Sequence, residues 1–179
     1  MAGTNENTLR KFVYAAMFAA LTAIGAYIVI PFQPVPITLQ NLFTFLAAVL
    51  LGGKWGALSQ LIYVLLGIIG LPVFAGGKAG LGTLFGPTGG YIIGFVIGAY
   101  VLGKIAELRR RKGTLWILLA IVAGEIVIYT VGTLWLSFVS HISLSKALLL
   151  GVVPFIIGDL LKILITLYLA PRLSKYMKL

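Results

Sequence analysis

The chain has 179 residues, of which 60% are hydrophobic and 10% are charged, whereas a soluble domain has about 45 to 50% apolar and about 25% charged residues. This composition excludes a water-soluble globule and is typical of an integral membrane protein. The net charge of +10 would suggest nucleic acid in a soluble protein, but in a membrane protein it reports loop orientation, so no nucleic-acid partner is expected. The chain has no cysteine and one histidine, which predicts no metal site.

The length and the apolar stretches predict one membrane domain over residues 1–179. Six spans of about 20 residues would use about 120 residues, so six is near the maximum. No charge occurs between Lys11 and Lys54, a stretch too long for the apolar part of a signal peptide, so the first span is expected to be retained. A proline-rich turn ends it, and Pro154 predicts a bend in the last helix. The predicted fold class is therefore an all-α integral membrane protein of six transmembrane helices, at approximately 12–31, 38–51, 55–71, 90–108, 114–138 and 146–170.

The distribution of basic residues predicts the orientation of this bundle. With six spans both termini lie on one side, where eleven lysines and arginines fall, against Lys78 and Lys146 on the other side and Lys162 within a helix. The positive-inside rule then places both termini in the cytoplasm. The eleven are Arg10, Lys11, Lys54, Lys104, Arg109, Arg110, Arg111, Lys112, Arg172, Lys175 and Lys178.

Glycines give two further predictions. The segment 70–90 holds eight glycines and two prolines, too many for a membrane helix, yet it is too apolar for a solvated linker. Non-helical backbone at membrane depth persists only when it is buried in protein or lines a cavity, so this outer loop is the first indication of a ligand site. In the next helix Gly90, Gly94 and Gly98 recur every four residues, which predicts close approach of a neighbouring helix.

Three charged residues, Glu125, Asp159 and Lys162, lie inside predicted spans, where charges are costly and usually functional. Asp159 and Lys162 share one helix face. They form either an internal ion pair that locks two helices or, the favoured interpretation, an acceptor and a donor for a polar ligand head. Two interpretations of Glu125 stay open: contact with this pair, or a protonated carboxyl held by hydrogen bonds.

Two other sequence patterns each have more than one interpretation. In Val35–Asn41, Thr38 is either a helix N-cap or a ligand contact, and Gln40 places an amide at apolar depth. Ala15, Ala19 and Ala23 form a flat stripe on the first helix, which serves packing within the chain or contact with a second protein.

The motifs of several enzyme and pump classes are absent from the sequence. It has no phosphate-binding loop, no Ser/His/Asp set and no row of arginines, so we expect neither an enzyme nor a self-powered pump, and a voltage sensor is excluded. Alternatives are a solitary ion- or proton-coupled secondary carrier, with Glu125 and Asp159 as relay groups, and a membrane scaffold that acts through the alanine stripe.

Five segments in order resemble one family: the alanine stripe, VPITLQ at 35–40, GLPVFAGGKAGLGTLFGPTGGY at 70–91, IYTVGTLWL at 128–136 and PFIIGDLLK at 154–162. The chain resembles the BioY family, the biotin-specific substrate-binding (S) components of energy-coupling factor (ECF) transporters. The resemblance implies a six-helix protein of a prokaryotic cell membrane that captures biotin from outside. Its partners would be a transmembrane coupling subunit of the EcfT type, two ATPase subunits and membrane lipid. It would need no cofactor of its own, because the partners use the ATP.

The resemblance also implies a site. Asp159 and Lys162 would hydrogen-bond the biotin head, whose ureido group has two N–H donors and one carbonyl acceptor. Ala15, Ala19 and Ala23 would meet the coupling subunit. Glu125 is not part of the family pattern. The remaining pocket residues would be Thr38, Gln40, Gly76, Gly77, Gly80 and Tyr91.

Overall fold

The computed structural model describes residues 2–108 and 113–177, and the expected cytoplasmic cations at 109–112 and 178 lie outside these ranges. The described chain is almost wholly helical, with one antiparallel pair of two-residue strands, β1 (Val29–Ile30) and β2 (Ile37–Thr38). The α-helices are α1 (Ala2–Tyr27), α2 (Gln40–Leu51), α3 (Gly53–Ile68), α4 (Leu81–Phe85), α5 (Gly89–Leu108), α6 (Gly113–Ser140), α7 (Leu144–Gly151) and α8 (Ile156–Leu173).

Prolines and glycines set the helix ends. Helix α1 ends at Tyr27, before the expected residue 31, and the chain then forms the β1–β2 hairpin. The helix expected at 146–170 is divided into α7 and α8 by a 3-10 turn at Val153–Phe155, because Pro154 lacks the N–H that a continuous helix requires. The glycine-rich segment holds α4 and a second 3-10 turn at Ala75–Gly77.

Within the described residues, four helical stretches are long and apolar enough to cross a membrane: Glu6–Tyr27, Gly89–Leu108, Gly113–Ser140 and Leu144–Leu173. The chain is therefore a multi-pass all-helical membrane protein. Helices α2 and α3, with 12 and 16 residues, are shorter than the about 20 residues of a typical span. Helix α2 contacts α1, α3, α5 and α8, and ten of its twelve residues are buried. It therefore lies in the middle of the bundle rather than against lipid.

The glycine spacing on α5 brings α6 close, as predicted. A Cβ atom added at Gly94 would lie 3.1 Å from the backbone of Ile128, and one at Gly98 would lie 2.9 Å from the carbonyl oxygen of Gly124. Side chains at these positions would push the helices apart. The contact fixes α6, and with it Glu125 and Tyr129, against the start of α5.

Candidate functional site

A cavity lies between the start of α2, the glycine-rich segment, α5, α6 and the turn before α8. Val35, Ile92, Phe95 and Phe155 contribute apolar walls. The polar and ionisable lining includes Thr38, Gln40, Asn41, Lys78, Tyr91 and Tyr129.

Thr38 and Gln40 line the cavity and hold each other in place. Thr38 Oγ1 donates to Gln40 Oε1 at 2.7 Å and accepts a weaker bond from the Gln40 backbone N–H at 3.4 Å. Gln40 Nε2 donates to the hydroxyl of Tyr63, a fully buried residue of α3. The N-cap interpretation of Thr38 is wrong, because the N-cap of α2 is Leu39 and no side chain caps the helix. The Thr38 hydroxyl instead orients the Gln40 amide at the cavity wall.

Tyr91 forms an aromatic wall that has little freedom to move. Its hydroxyl donates to the carbonyl oxygen of Gly151 at 2.9 Å, and its ring stacks on Phe155 with centroids 6.5 Å apart. A Cβ atom at Gly132 would lie 2.4 Å from this ring, so the glycine of α6 provides the space that the ring occupies.

Phe74 anchors the glycine-rich loop. Its fully buried ring packs edge-on against Tyr63, with centroids 5.6 Å apart, over Gly67, where a Cβ atom would lie 2.1 Å from the ring. Gly80 N–H donates to the carbonyl oxygen of Gly67 at 2.7 Å. Aromatic packing and this backbone bond hold the loop over the cavity, together with hydrogen bonds from Tyr27 of α1 to Pro72 and from Trp135 of α6 to Gly86.

The predicted glycines shape the loop, and their neighbours line the cavity. Gly76, Gly77 and Gly80 have φ values of 71°, 76° and 81°, a left-handed backbone that costs glycine little and other residues more. The loop residues at the cavity wall include Ala75 and Lys78. A second cavity, with about 910 Å³ of empty space between the loop and the β1–β2 turn, shares Ala75 and Lys78 with the first.

Asp159 and Lys162 form an ion pair, as their shared helix face predicted. Lys162 Nζ donates to Asp159 Oδ1 at 2.7 Å, and the Tyr129 hydroxyl of α6 donates to Asp159 Oδ2. Both residues are buried, with 3% and 4% of their surface exposed. The cavity lining includes Tyr129 but neither member of the pair, so the pair lies behind the tyrosine.

Glu125 is buried beside this pair, with 6% of its surface exposed. Its Oε1 accepts from Asn41 Nδ2 at 3.2 Å, and its Oε2 has no hydrogen-bond partner among the described residues. Asn41 and Tyr129 were not among the predicted site residues. Two signals point to them: Asn41 follows Gln40 directly, and Tyr129 lies four residues after Glu125, on the same helix face.

The stripe of Ala15, Ala19 and Ala23, which was predicted to meet a coupling subunit, faces the inside of the bundle. Ala15 and Ala19 have no exposed surface, and Ala23 is half-buried against the core. Ala16 and Ala20 are exposed. The exposed small-residue face of α1 is therefore the Ala16–Ala20 face, because packing on α2 and α3 covers the other side.

The fold and this site define a class: a multi-pass helical membrane protein with a cavity of mixed polar and aromatic lining beside a buried ion pair. The family model of the BioY family matches residues 2–179, and the chain belongs to the BioY family.

Relatives and a solved structure agree with this assignment. The chain is 46% identical over 167 residues to the biotin transporter BioY of Thermotoga maritima, covering 93% of this chain and 97% of that protein. It is 44% identical over 159 residues to a probable biotin transporter BioY of Pyrococcus horikoshii, covering 89% and 93%. A crystal structure of the S-component for biotin from an ECF-type ABC transporter matches with a TM-score of 0.85 and 35% identity, covering 96% of this chain and 94% of that one.

Phe74→Ala should loosen the glycine-rich loop. Truncating a fully buried phenylalanine costs about 3 to 5 kcal/mol, and here the loss falls on the contact that anchors the loop. We expect trypsin to cleave after Lys78 faster in this variant than in the parent, measured by the appearance of that fragment. Phe85→Ala, which truncates a ring of the same segment with 67% of its surface exposed, is the control. Equal cleavage of all three proteins would contradict the anchoring role.

Proposed function

We propose that the chain binds biotin in this cavity and serves as the substrate-specific S component of an ECF-type transporter in a prokaryotic cell membrane. The observation that carries the proposal is the cavity itself, with polar groups on α2, aromatic walls and the ion pair of α8 behind Tyr129. Membership in a family whose named relatives are biotin transporters supports it.

The chemistry of the cavity suits each part of biotin. Tyr91, Phe95 and Phe155 pack against the apolar bicycle, and the ammonium group of Lys78 attracts the carboxylate tail. The ureido group displaces the Tyr129 hydroxyl from Asp159, so that one ureido N–H donates to Asp159 and the ureido carbonyl accepts from Lys162. The remaining predicted residues complete the pocket: Thr38 and Gln40 through the α2 wall, and Gly76, Gly77 and Gly80 through the loop backbone.

The proposed topology has six spans: α1, α2, α3, α5, α6 and the α7–α8 pair. Both termini lie in the cytoplasm, as the eleven-to-two distribution of cations favours. A transmembrane coupling subunit of the EcfT type binds the Ala16–Ala20 face of α1, and two ATPase subunits supply the energy. Biotin is the ligand, and the chain uses no cofactor of its own.

Biotin binding tests the function and the site together. We expect calorimetry on the detergent-purified chain to show tight biotin binding, and Asp159→Asn and Lys162→Ala each to weaken it about tenfold or more, as for hydrogen bonds to charged groups. Riboflavin and thiamine serve as control ligands and should not bind. Affinities within about twofold of the parent for both variants would overturn the site. No binding by the folded parent would overturn the function and favour the carrier or scaffold interpretation.

Tyr129→Phe tests the displacement step, since it keeps the ring and removes the hydroxyl that competes for Asp159. We expect biotin affinity in calorimetry to equal or exceed that of the parent, because the ligand no longer breaks a hydrogen bond to a charged group, which is worth about 1.5 to 3 kcal/mol. Weaker binding would mean that the hydroxyl itself contacts biotin and that Asp159 stays behind it.

Ala16→Trp and Ala20→Trp test the proposed coupling face. Each places a large ring on the flat face of α1, so biotin uptake by cells that also express the coupling and ATPase subunits should fall, while biotin binding by the isolated chain stays within about twofold. Leu119→Trp, at a residue of α6 with 50% of its surface exposed, is the matched control. Normal uptake by both alanine variants would exclude this face from coupling.

A further inference from the structure

We infer that Glu125 is a positioning residue that turns the carbonyl oxygen of Asn41 toward the cavity, so that the site selects ligands with an N–H donor at that point. This inference rests on the proposed function, because biotin is the ligand used to test it. It gives a role to a buried carboxyl that the family resemblance leaves unexplained.

The Asn41 amide is hydrogen-bonded at its nitrogen and has no side-chain partner at its oxygen among the described residues. Asn41 belongs to the first turn of α2 and lines the cavity, and its Nδ2 donates to Glu125 Oε1. Its Oδ1 makes no side-chain hydrogen bond among the described residues. The fully enclosed side-chain atoms without a partner in those residues are Ser59 Oγ and Glu125 Oε2. Asn41 Oδ1 is not among them, so it keeps some accessible surface, and Asn41 lines the cavity.

The chemistry of a carboxyl oxygen fixes this orientation. Glu125 Oε1 accepts from the NH₂ end of Asn41, and while this oxygen carries no proton it repels the carbonyl end, because an unprotonated carboxyl oxygen cannot donate. Turning the amide over would bring two acceptors together between residues with 9% and 6% of their surface exposed, where an unmade hydrogen bond costs about 1 to 3 kcal/mol. Glu125 therefore sets which end of Asn41 faces the ligand.

Other polar groups of the wall are already engaged. Thr38 and Gln40 bond to each other, and the Tyr91 hydroxyl is committed to Gly151. Asn41 Oδ1 is thus an acceptor on the α2 side that no described residue satisfies.

Its position also suits the proposed ligand. Glu125 and Tyr129 lie one turn apart on α6, about 6 Å along the axis, and Tyr129 bonds Asp159. Glu125 also lies within electrostatic reach of Asp159 and Lys162. The Asn41 acceptor and the Asp159 acceptor are therefore neighbours. Biotin presents two N–H groups on one ureido ring, one for each acceptor.

Glu125→Leu tests the role, with Glu125→Gln as the matched control. Leucine fills similar space but cannot hold the Asn41 amide, so biotin affinity measured by calorimetry should fall about tenfold. Glutamine still offers a carbonyl oxygen to Asn41 and removes the charge, so its affinity should stay within about threefold of the parent. This rescue separates a positioning role from an electrostatic one.

Biotin methylated at one or the other ureido nitrogen gives a readout that loss of packing would not move. In the parent, methylation at either nitrogen should weaken binding. In Glu125→Leu, methylation at the nitrogen that faces Asn41 should cost less than in the parent, because the Asn41 carbonyl is no longer held toward that nitrogen. Asn41→Ala should show the same pattern, and adding Glu125→Leu to it should cost nothing more. Asn41→Ala keeps the test decisive if the leucine variant fails to fold.

Three results would overturn the inference alone while the parent binds biotin tightly. These are affinity of Glu125→Leu within about twofold of the parent, an unchanged methylation penalty at both nitrogens in Asn41→Ala, and a loss in Glu125→Gln equal to that in Glu125→Leu. A folded parent that does not bind biotin would overturn the proposed function, and the inference with it.

Discussion

The structure depends on satisfying a buried charge pair inside an apolar bundle. Charged groups removed from water are tolerated when they are paired and hydrogen-bonded, and removing one partner from a buried pair costs about 3 to 5 kcal/mol. Helix α8 supplies both Asp159 and Lys162 one turn apart, and Tyr129 of α6 satisfies the second carboxylate oxygen. The pair therefore fixes α8 against α6. It also places an acceptor, Asp159, and a donor, Lys162, directly behind Tyr129 of the cavity wall. The ion pair that holds α8 against α6 is therefore also the pair that a polar ligand can use.

The α2 wall of the cavity is held from the opposite side by a second set of buried polar bonds. Thr44 donates to Gln60 of α3, and Gln60 donates to Thr22 of α1. One turn earlier on α2, Gln40 bonds Tyr63 of α3. In a core of aliphatic side chains these bonds fix the rotation of α2 about its axis, because any other rotation would leave buried amides without partners. The orientation of Thr38, Gln40 and Asn41 toward the cavity follows from that fixed rotation.

Local patterns in the sequence predicted local features, and long-range packing decided the rest. The shared face of Asp159 and Lys162 and the close approach at Gly94 and Gly98 depend on helix periodicity alone, and both are confirmed. The Asn41–Glu125 bond joins residues 84 positions apart, and no local pattern specifies such a partner. Alanine occurs on two adjacent faces of α1, so the sequence did not reveal that α2 and α3 cover Ala15 and Ala19 and leave Ala16 and Ala20 exposed. In the sequence, nothing distinguishes Tyr129 from other tyrosines in apolar helices. Only the fold shows that it bonds Asp159.

The two sides of the cavity differ in what holds them closed. On the bundle side lie Tyr129, the ion pair and the Asn41–Glu125 bond, and opening this side would leave charged or polar groups buried without partners. On the other side lies the glycine-rich loop, held by Phe74, a few backbone bonds and single hydrogen bonds from Tyr27 and Trp135 to its carbonyl groups. A second cavity beyond it shares Ala75 and Lys78. Loop displacement exposes backbone that water can satisfy, so this side opens at the lower cost. We therefore expect a ligand to enter past the loop, because opening the opposite side would break the polar contacts of α2, α6 and α8 together.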